Sequence, residues 1–130
     1  MRYKIKEQDL LESFKLHYPD YDFKEGRLLV GQHKRDNLEI YYLGEDFFAV
    51  MTVDFFSFNF LEIVILEKNA IDEISLKDGM IYRKMFVKVG DKTLKYSTSR
   101  FLLTDFQQDH YNKFIDGQKE RVIYKDGKFL

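Results

Sequence analysis

Six basic side chains in the second half of the chain are the residues whose type and spacing best suit binding chemistry. They lie on or beside two predicted strands, residues 82–89 and 93–98, and pairing these strands would bring several of them onto one face. Such a patch could hold the phosphate groups of a lipid headgroup or a nucleic acid. The simpler interpretation, which we favour, is that they keep an exposed sheet soluble and block edge pairing. The six residues are Arg83, Lys84, Lys88, Lys92, Lys95 and Arg100.

Aromatic residues form a second group. The chain has 13 Phe and 9 Tyr but no Trp, and six of the Phe lie between residues 47 and 60. This is more than one face of two strands normally buries, so alternation should leave some rings outward. Phe55 and Phe56, at a predicted turn, are the candidates for exposure. An exposed aromatic pair at a sheet edge would suit a protein partner or a second copy of the chain.

The residue types needed for catalysis or metal binding lack the required context. The histidines His17, His33 and His110 have no ligand spacing, and His110 is predicted to be a hydrogen-bonded packing residue. The serines lack a nucleophile-elbow context, and the paired carboxylates fall at positions where solvation explains them. We therefore predict no catalytic residue, metal site, cofactor or small-molecule substrate, and expect a protein that is not an enzyme.

Composition predicts one folded domain over residues 1–130. The chain is 45% hydrophobic and 33% charged, the balance of a globular protein. Its net charge of −1 creates no overall field toward nucleic acid or an anionic membrane. The absence of cysteine fits a reducing cytoplasm. We expect no signal peptide and no membrane span, because no apolar run approaches the roughly 20 residues that a spanning helix needs.

Hydrophobic periodicity predicts a helix at each end of a β-rich region. A helix over residues 8–18 is followed by Pro19, and a second helix over residues 104–116 begins with a Thr104–Gln107 capping box and stops at Gly117. The tail, residues 118–130, could add an edge strand or fray. The clearest turn is Gly90-Asp91, where glycine permits a primed hairpin turn. The predicted strands cover residues 28–33, 38–43, 47–53, 58–66, 71–76, 82–89 and 93–98.

This order of elements, with three stretches of sequence, resembles the bacterial pleckstrin-homology-like (PH-like) domain family, in which an extra N-terminal helix often precedes the sheet. The stretches are MTVDFFSF (51–58), IDEISLKDG (71–79) and FVKVGDKTLKY (86–96), and the resemblance covers residues 26–117. It implies a mainly β fold (α+β by content): a seven-stranded antiparallel barrel or curved sheet capped by the C-terminal helix.

Two functions remain open at this point. The first is a non-enzymatic interaction module that binds a protein partner or self-associates through an exposed aromatic edge. The alternative is a module that binds phosphate-bearing ligands, on an anionic membrane or a nucleic acid, through the basic residues of the 82–100 hairpin. We favour the first.

Overall fold

The computed structural model describes residues 5–31, 37–54, 57, 59–79, 82–99 and 106–129, and it confirms a mainly β, antiparallel fold with two helices. The helices are α1 (Glu7–His17) and α2 (Gln107–Ile115), and a 3₁₀ turn covers Lys68–Ala70. The strands are β1 (Leu28–Gly31), β2 (Asn37–Leu43), β3 (Phe47–Asp54), β4 (Phe60–Glu67), β5 (Glu73–Asp78), β6 (Tyr82–Val89), β7 (Lys92–Ser99), β8 (Glu120–Lys125) and β9 (Lys128–Phe129).

The described strands form two sheets rather than the predicted single seven-stranded one. The first has the order β1-β2-β3-β4, and the second has the order β7-β6-β5-β8-β9. Neither closes on itself within the described residues, so the predicted barrel is not observed there. Seven strands lie between α1 and α2, and two more follow α2, which makes nine in the described part. The number exceeds seven because the tail forms β8 and β9, which is the first of the two alternatives for residues 118–130. Only β9 lies at the edge, since β8 pairs with the distant β5, and local periodicity does not report such a contact.

Helix α1 covers one face of the first sheet. It ends at His17, two residues before Pro19, whose ring would clash with a continuing helix. Leu10, Leu11 and Phe14 share one side of the helix at the spacing that predicted it, and all three are buried. The apolar layer beneath them is built from strand residues that alternate toward α1. These include Leu28, Val30, Leu38, Ile40, Tyr42, Phe47, Ala49, Met51 and Val53.

A second apolar layer lies between the two sheets. Tyr41 and Phe48 point into it from the first sheet, and Met85 and Val87 from the second. Helix α2 closes one end of this layer with Tyr111, Phe114 and Ile115. The molecule is therefore layered as α1, first sheet and second sheet. Among the described elements, nothing covers the outer face of the second sheet.

His110 ties three elements together. It is buried on α2, and its Nδ1 lies 2.9 Å from the Leu28 carbonyl oxygen on β1. Its Nε2 lies 3.3 Å from Glu7 Oε2 on α1, and the same oxygen accepts the Gly26 amide at 2.9 Å. The residue is a hydrogen-bonded packing residue, as predicted. Thr104 lies outside the described residues, and α2 ends with Asp116 and Gly117 both at positive φ.

Strands β1 and β7 come together where the two sheets meet. Gly31 on β1 lies against the backbone of β7, so that a Cβ at this position would overlap the Ser97 carbonyl oxygen. The same Cβ would also be 2.9 Å from Tyr41 Oη. This glycine is required by close approach rather than by its φ angle.

Candidate functional site

The hairpin of β6 and β7 places its basic residues on both faces of the second sheet. The strands pair from Tyr82 opposite Ser99 to Val89 opposite Lys92, with Gly90-Asp91 as the connecting turn, so the predicted hairpin is confirmed. Side chains alternate along β6. The basic residues on it therefore fall into two sets, one facing the core and one facing outward.

Arg83 belongs to the core-facing set. Its side chain is almost completely buried, with the guanidinium carbon 4.5 Å from the centroid of the Tyr111 ring and Nε 3.5 Å from Asp78 Oδ1. A cation held this way contributes to packing between β6 and α2. Lys92 is exposed. It stands opposite Val89, next to the Gly90-Asp91 turn, and so belongs to the same side of the sheet as the core-facing residues. Neither residue joins an outward patch, and Arg100 lies outside the described residues.

Lys84, Lys88 and Lys95 do share the outer face. Lys95 stands opposite Phe86, which lies between Lys84 and Lys88 on the same side of β6. Strands β5, β8 and β9 add three further exposed lysines to this face through their register. We call this surface the lysine face. It consists of Lys77, Lys84, Lys88, Lys95, Lys125 and Lys128 arranged around Phe86.

Two glutamates lie among these lysines. Lys88 Nζ is 3.4 Å from Glu73 Oε2, and Lys77 Nζ is 3.5 Å from Glu120 Oε1. Such exposed pairs contribute little stability, and they leave the face with an excess of positive charge. Along β5 and β8 the face has a shallow groove of about 400 Å³. The residues that line it include Ser75, Phe86 and Val122, in addition to both glutamates and Lys77.

The second candidate surface is the outer edge of the first sheet. Strand β4 is its last strand and pairs only with β3 among the described elements. Three of its apolar side chains are substantially exposed: Phe60 at 42%, Leu61 at 51% and Val64 at 44%. The predicted contact residues Phe55 and Phe56 lie outside the described residues, a few positions before this strand.

Sequence reasoning missed Lys77, Lys125 and Lys128 on the lysine face, and Leu61 and Val64 on the edge. The lysines are brought in by the pairing of β5 with β6 and β8, which lie far apart in the chain. The apolar run of β4 was visible, but its position at the edge of a sheet was not. In the part of the chain that the structure describes, no cluster of His, Cys, Asp or Glu could hold a metal ion. No helix described there is long and apolar enough to cross a membrane.

Two buried tyrosines mark the junction of the sheets. The rings of Tyr41 and Tyr96 are 4.6 Å apart, and the Tyr41 hydroxyl is buried without a hydrogen-bond partner among the described residues. Burial, aided by the nearby charge of Glu39, raises the pKa of Tyr41 far above its ordinary range. The same two causes raise the pKa of Tyr96 to about 12. Both hydroxyls thus resist ionisation in the folded state.

We expect these tyrosines to make the protein sensitive to alkali. Because the folded state retains protons that an unfolded tyrosine releases near pH 10, the free energy of unfolding should fall as the pH rises from about 10 toward 12. Tyr41→Phe should raise the free energy of unfolding at pH 7 by roughly 1 kcal/mol, since it removes a buried hydroxyl without a partner. It should also reduce the loss of stability between about pH 10 and pH 12. Urea unfolding at pH 7 and across this alkaline range measures both effects.

Tyr18→Phe is the matched control for this prediction, because it makes the same change at a half-buried ring outside the junction. We expect it to alter neither the stability at pH 7 nor the alkaline loss. If Tyr41→Phe lowers stability at pH 7, then its hydroxyl has a partner that the described contacts do not contain.

Comparisons with known proteins identify no relative of this chain. No family model matches it, and neither do the curated proteins or the solved structures that were searched. The lysine face and the β4 edge are therefore the features of this chain that indicate its function.

Proposed function

We propose that this protein is a non-enzymatic, PH-like interaction module of the cytoplasm that self-associates through the free edge of β4. The PH-like part of the proposal is supported by the order of helix, seven strands and helix from α1 to α2. The observation that carries the self-association part is the exposed apolar character of β4. Phe55 and Phe56, just before this strand, are candidates for the same contact.

A free edge strand can accept another strand. Its outer backbone amides and carbonyls can pair with a second chain, and natural proteins usually protect such edges with charge, proline or short length. Strand β4 is eight residues long, and six of the eight are apolar. A register shift opposite Thr52 and Val53 leaves Leu61 without an opposite residue, which contributes to its exposure. Glu62 and Glu67 are the only charged residues within the strand.

The apolar sequence of β4 is complementary to itself, which favours a second copy as the added strand. Antiparallel pairing of two copies about Ile65 places Val64 opposite Leu66 of the second copy. The pairing is symmetric, so this apolar contact forms twice. Cross-strand pairs of apolar residues stabilise a sheet. The result is one continuous eight-stranded sheet across the dimer.

Size-exclusion chromatography with light scattering tests the proposal. We expect the wild-type mass to rise from monomer toward dimer as the concentration increases through the micromolar range. Val64→Lys should shift the equilibrium toward monomer by at least tenfold, because it places a charge in the apolar centre of the paired edge. The fold should persist, since the Val64 side chain is nearly half exposed.

Leu94→Lys is the matched control. Leu94 is 38% exposed and lies on β7, the edge strand of the other sheet. The change in polarity is the same, and we expect wild-type association from it. A monomer at the highest attainable concentration, or equal weakening by both substitutions, would rule out self-association through β4.

A further inference from the structure

We propose that the lysine face binds single-stranded nucleic acid, with its lysines on the phosphates and one base stacked on Phe86. This inference uses the outer face of the second sheet and does not depend on association through β4. Four observations carry it: the arrangement of the lysines, the position of the aromatic ring, the groove beside that ring, and the absence of exposed large apolar side chains among the described residues of this face.

The lysines are arranged in a way that an anion would stabilise. Lys77 stands directly opposite Lys84 across β5 and β6, and Lys125 stands opposite Lys128 across β8 and β9. Like charges directly opposite each other destabilise a sheet. Each of these pairs also borders a glutamate, because Glu120 stands opposite Lys77 and Glu73 stands opposite Lys125. Two carboxylates do not neutralise six lysines, and a chain of phosphates along the face would compensate the remaining positive charge.

The charge of the face also contrasts with that of the whole chain. Six lysines and two glutamates make the face positive, whereas the formal charge of the protein is −1. The rest of the chain therefore carries a net negative charge. A polyanion is attracted to the lysine face, which orients the encounter.

Phe86 supplies the sequence-tolerant contact. Its ring is half-buried in the centre of the face, with Ser75 on one side and Lys95 on the other. The groove of about 400 Å³ runs beside it and is also lined by Val122, Glu73 and Glu120. Proteins that bind single strands without sequence preference combine such an aromatic platform with basic side chains that follow the backbone. A sheet face serves this purpose in known RNA-binding folds.

The same features argue against a membrane or a duplex as the ligand. A membrane-binding surface usually inserts apolar side chains. Among the described residues, the large exposed ones (Leu16, Phe60, Leu61, Val64 and Leu94) all lie elsewhere in the register. A duplex keeps its bases stacked inside, where Phe86 could not reach them. The lysine face would then contribute charge alone.

Fluorescence anisotropy with a labelled oligo(dT) of about 12 nucleotides tests the proposal at low salt. We expect binding that weakens as salt rises, because bound phosphates release counterions. Lys84→Glu with Lys95→Glu should weaken binding by at least tenfold and flatten the salt dependence. Phe86→Leu should weaken binding several-fold but leave the salt dependence unchanged, since it removes the ring and no charge.

Lys15→Glu with Lys24→Glu is the matched control. Both lysines are exposed and lie on the α1 side of the first sheet, so the net charge changes equally away from the lysine face. We expect at most a twofold effect on binding. Val64→Lys should also bind as the wild type does, which separates this inference from association through β4. Circular dichroism verifies that each variant is folded.

Three outcomes would overturn the inference. The first is no binding at low salt. The second is that Lys84→Glu with Lys95→Glu weakens binding no more than Lys15→Glu with Lys24→Glu does. The third is that a duplex of the same length binds as tightly as the single strand, and that Phe86→Leu leaves the affinity for the single strand unchanged. Sedimentation with vesicles of phosphatidylcholine and phosphatidylserine, without oligonucleotide binding, would instead assign the face to an anionic membrane.

Discussion

Phe14→Ala is expected to lower the free energy of unfolding by about 3–5 kcal/mol, as truncation of a buried phenylalanine usually does. Phe14 is completely buried between α1 and the first sheet. Its ring stacks on that of Phe23 at a centroid separation of 4.9 Å and lies 6.3 Å from that of Tyr42. Its loss would leave a cavity that the strands beneath cannot fill. The cost is a large part of the total stability of a domain of this size.

Urea unfolding followed by circular dichroism measures this effect, and Leu16→Ala is its control. Leu16 lies on the same helix two residues further on but is 80% exposed, so its truncation should cost less than about 0.5 kcal/mol. The pair of variants tests whether α1 is part of the folded core. If both variants cost the same small amount, α1 is not packed on the first sheet.

Gly31→Ala is expected to lower the free energy of unfolding by roughly 2–3 kcal/mol, although it adds only one methyl group. The added Cβ would overlap a backbone oxygen, that of Ser97 on β7, which cannot move aside as a flexible side chain could. It would also press on the Tyr41 hydroxyl. Strands β1 and β7 would have to separate, and the junction of the two sheets would open.

Gly90→Ala separates this effect from the general cost of replacing a glycine. Gly90 has φ +64° and no atom within 4 Å of an added Cβ, so only backbone strain of about 1 kcal/mol applies. Thermal and urea unfolding of both variants provide the comparison. A smaller loss for Gly31→Ala than for Gly90→Ala would contradict the close approach of β1 and β7.

Local sequence predicted the elements of this protein well. The helical spacing of Leu10, Leu11 and Phe14 with Pro19 beyond them determines α1, because both signals act within a few residues. The hairpin at Gly90-Asp91 is determined in the same way, since the turn sets the register of the strands that it joins. The role of His110 also followed from its place on an apolar helical stripe.

What local sequence could not supply was the arrangement of these elements. It gave Arg83 and Lys84 as members of one patch, whereas alternation on a sheet with one buried face places Arg83 over Tyr111 and Lys84 in solvent. The alternation of apolar Met85 and Val87 with Lys84 already indicates which face of β6 is buried, but only the tertiary fold shows that Tyr111 covers Arg83 on that face.

The sequence by itself thus determined a β-rich chain with an N-terminal helix, a second helix after the seventh strand and a basic hairpin in its C-terminal half. The tertiary structure decided that the strands form two sheets, that β8 fills the free edge of β5, and that Lys125 and Lys128 join the lysine face. It also placed the apolar β4 at an edge. The reason is physical: helices and tight turns are specified by residues a few positions apart, whereas strand order depends on pairing between distant segments.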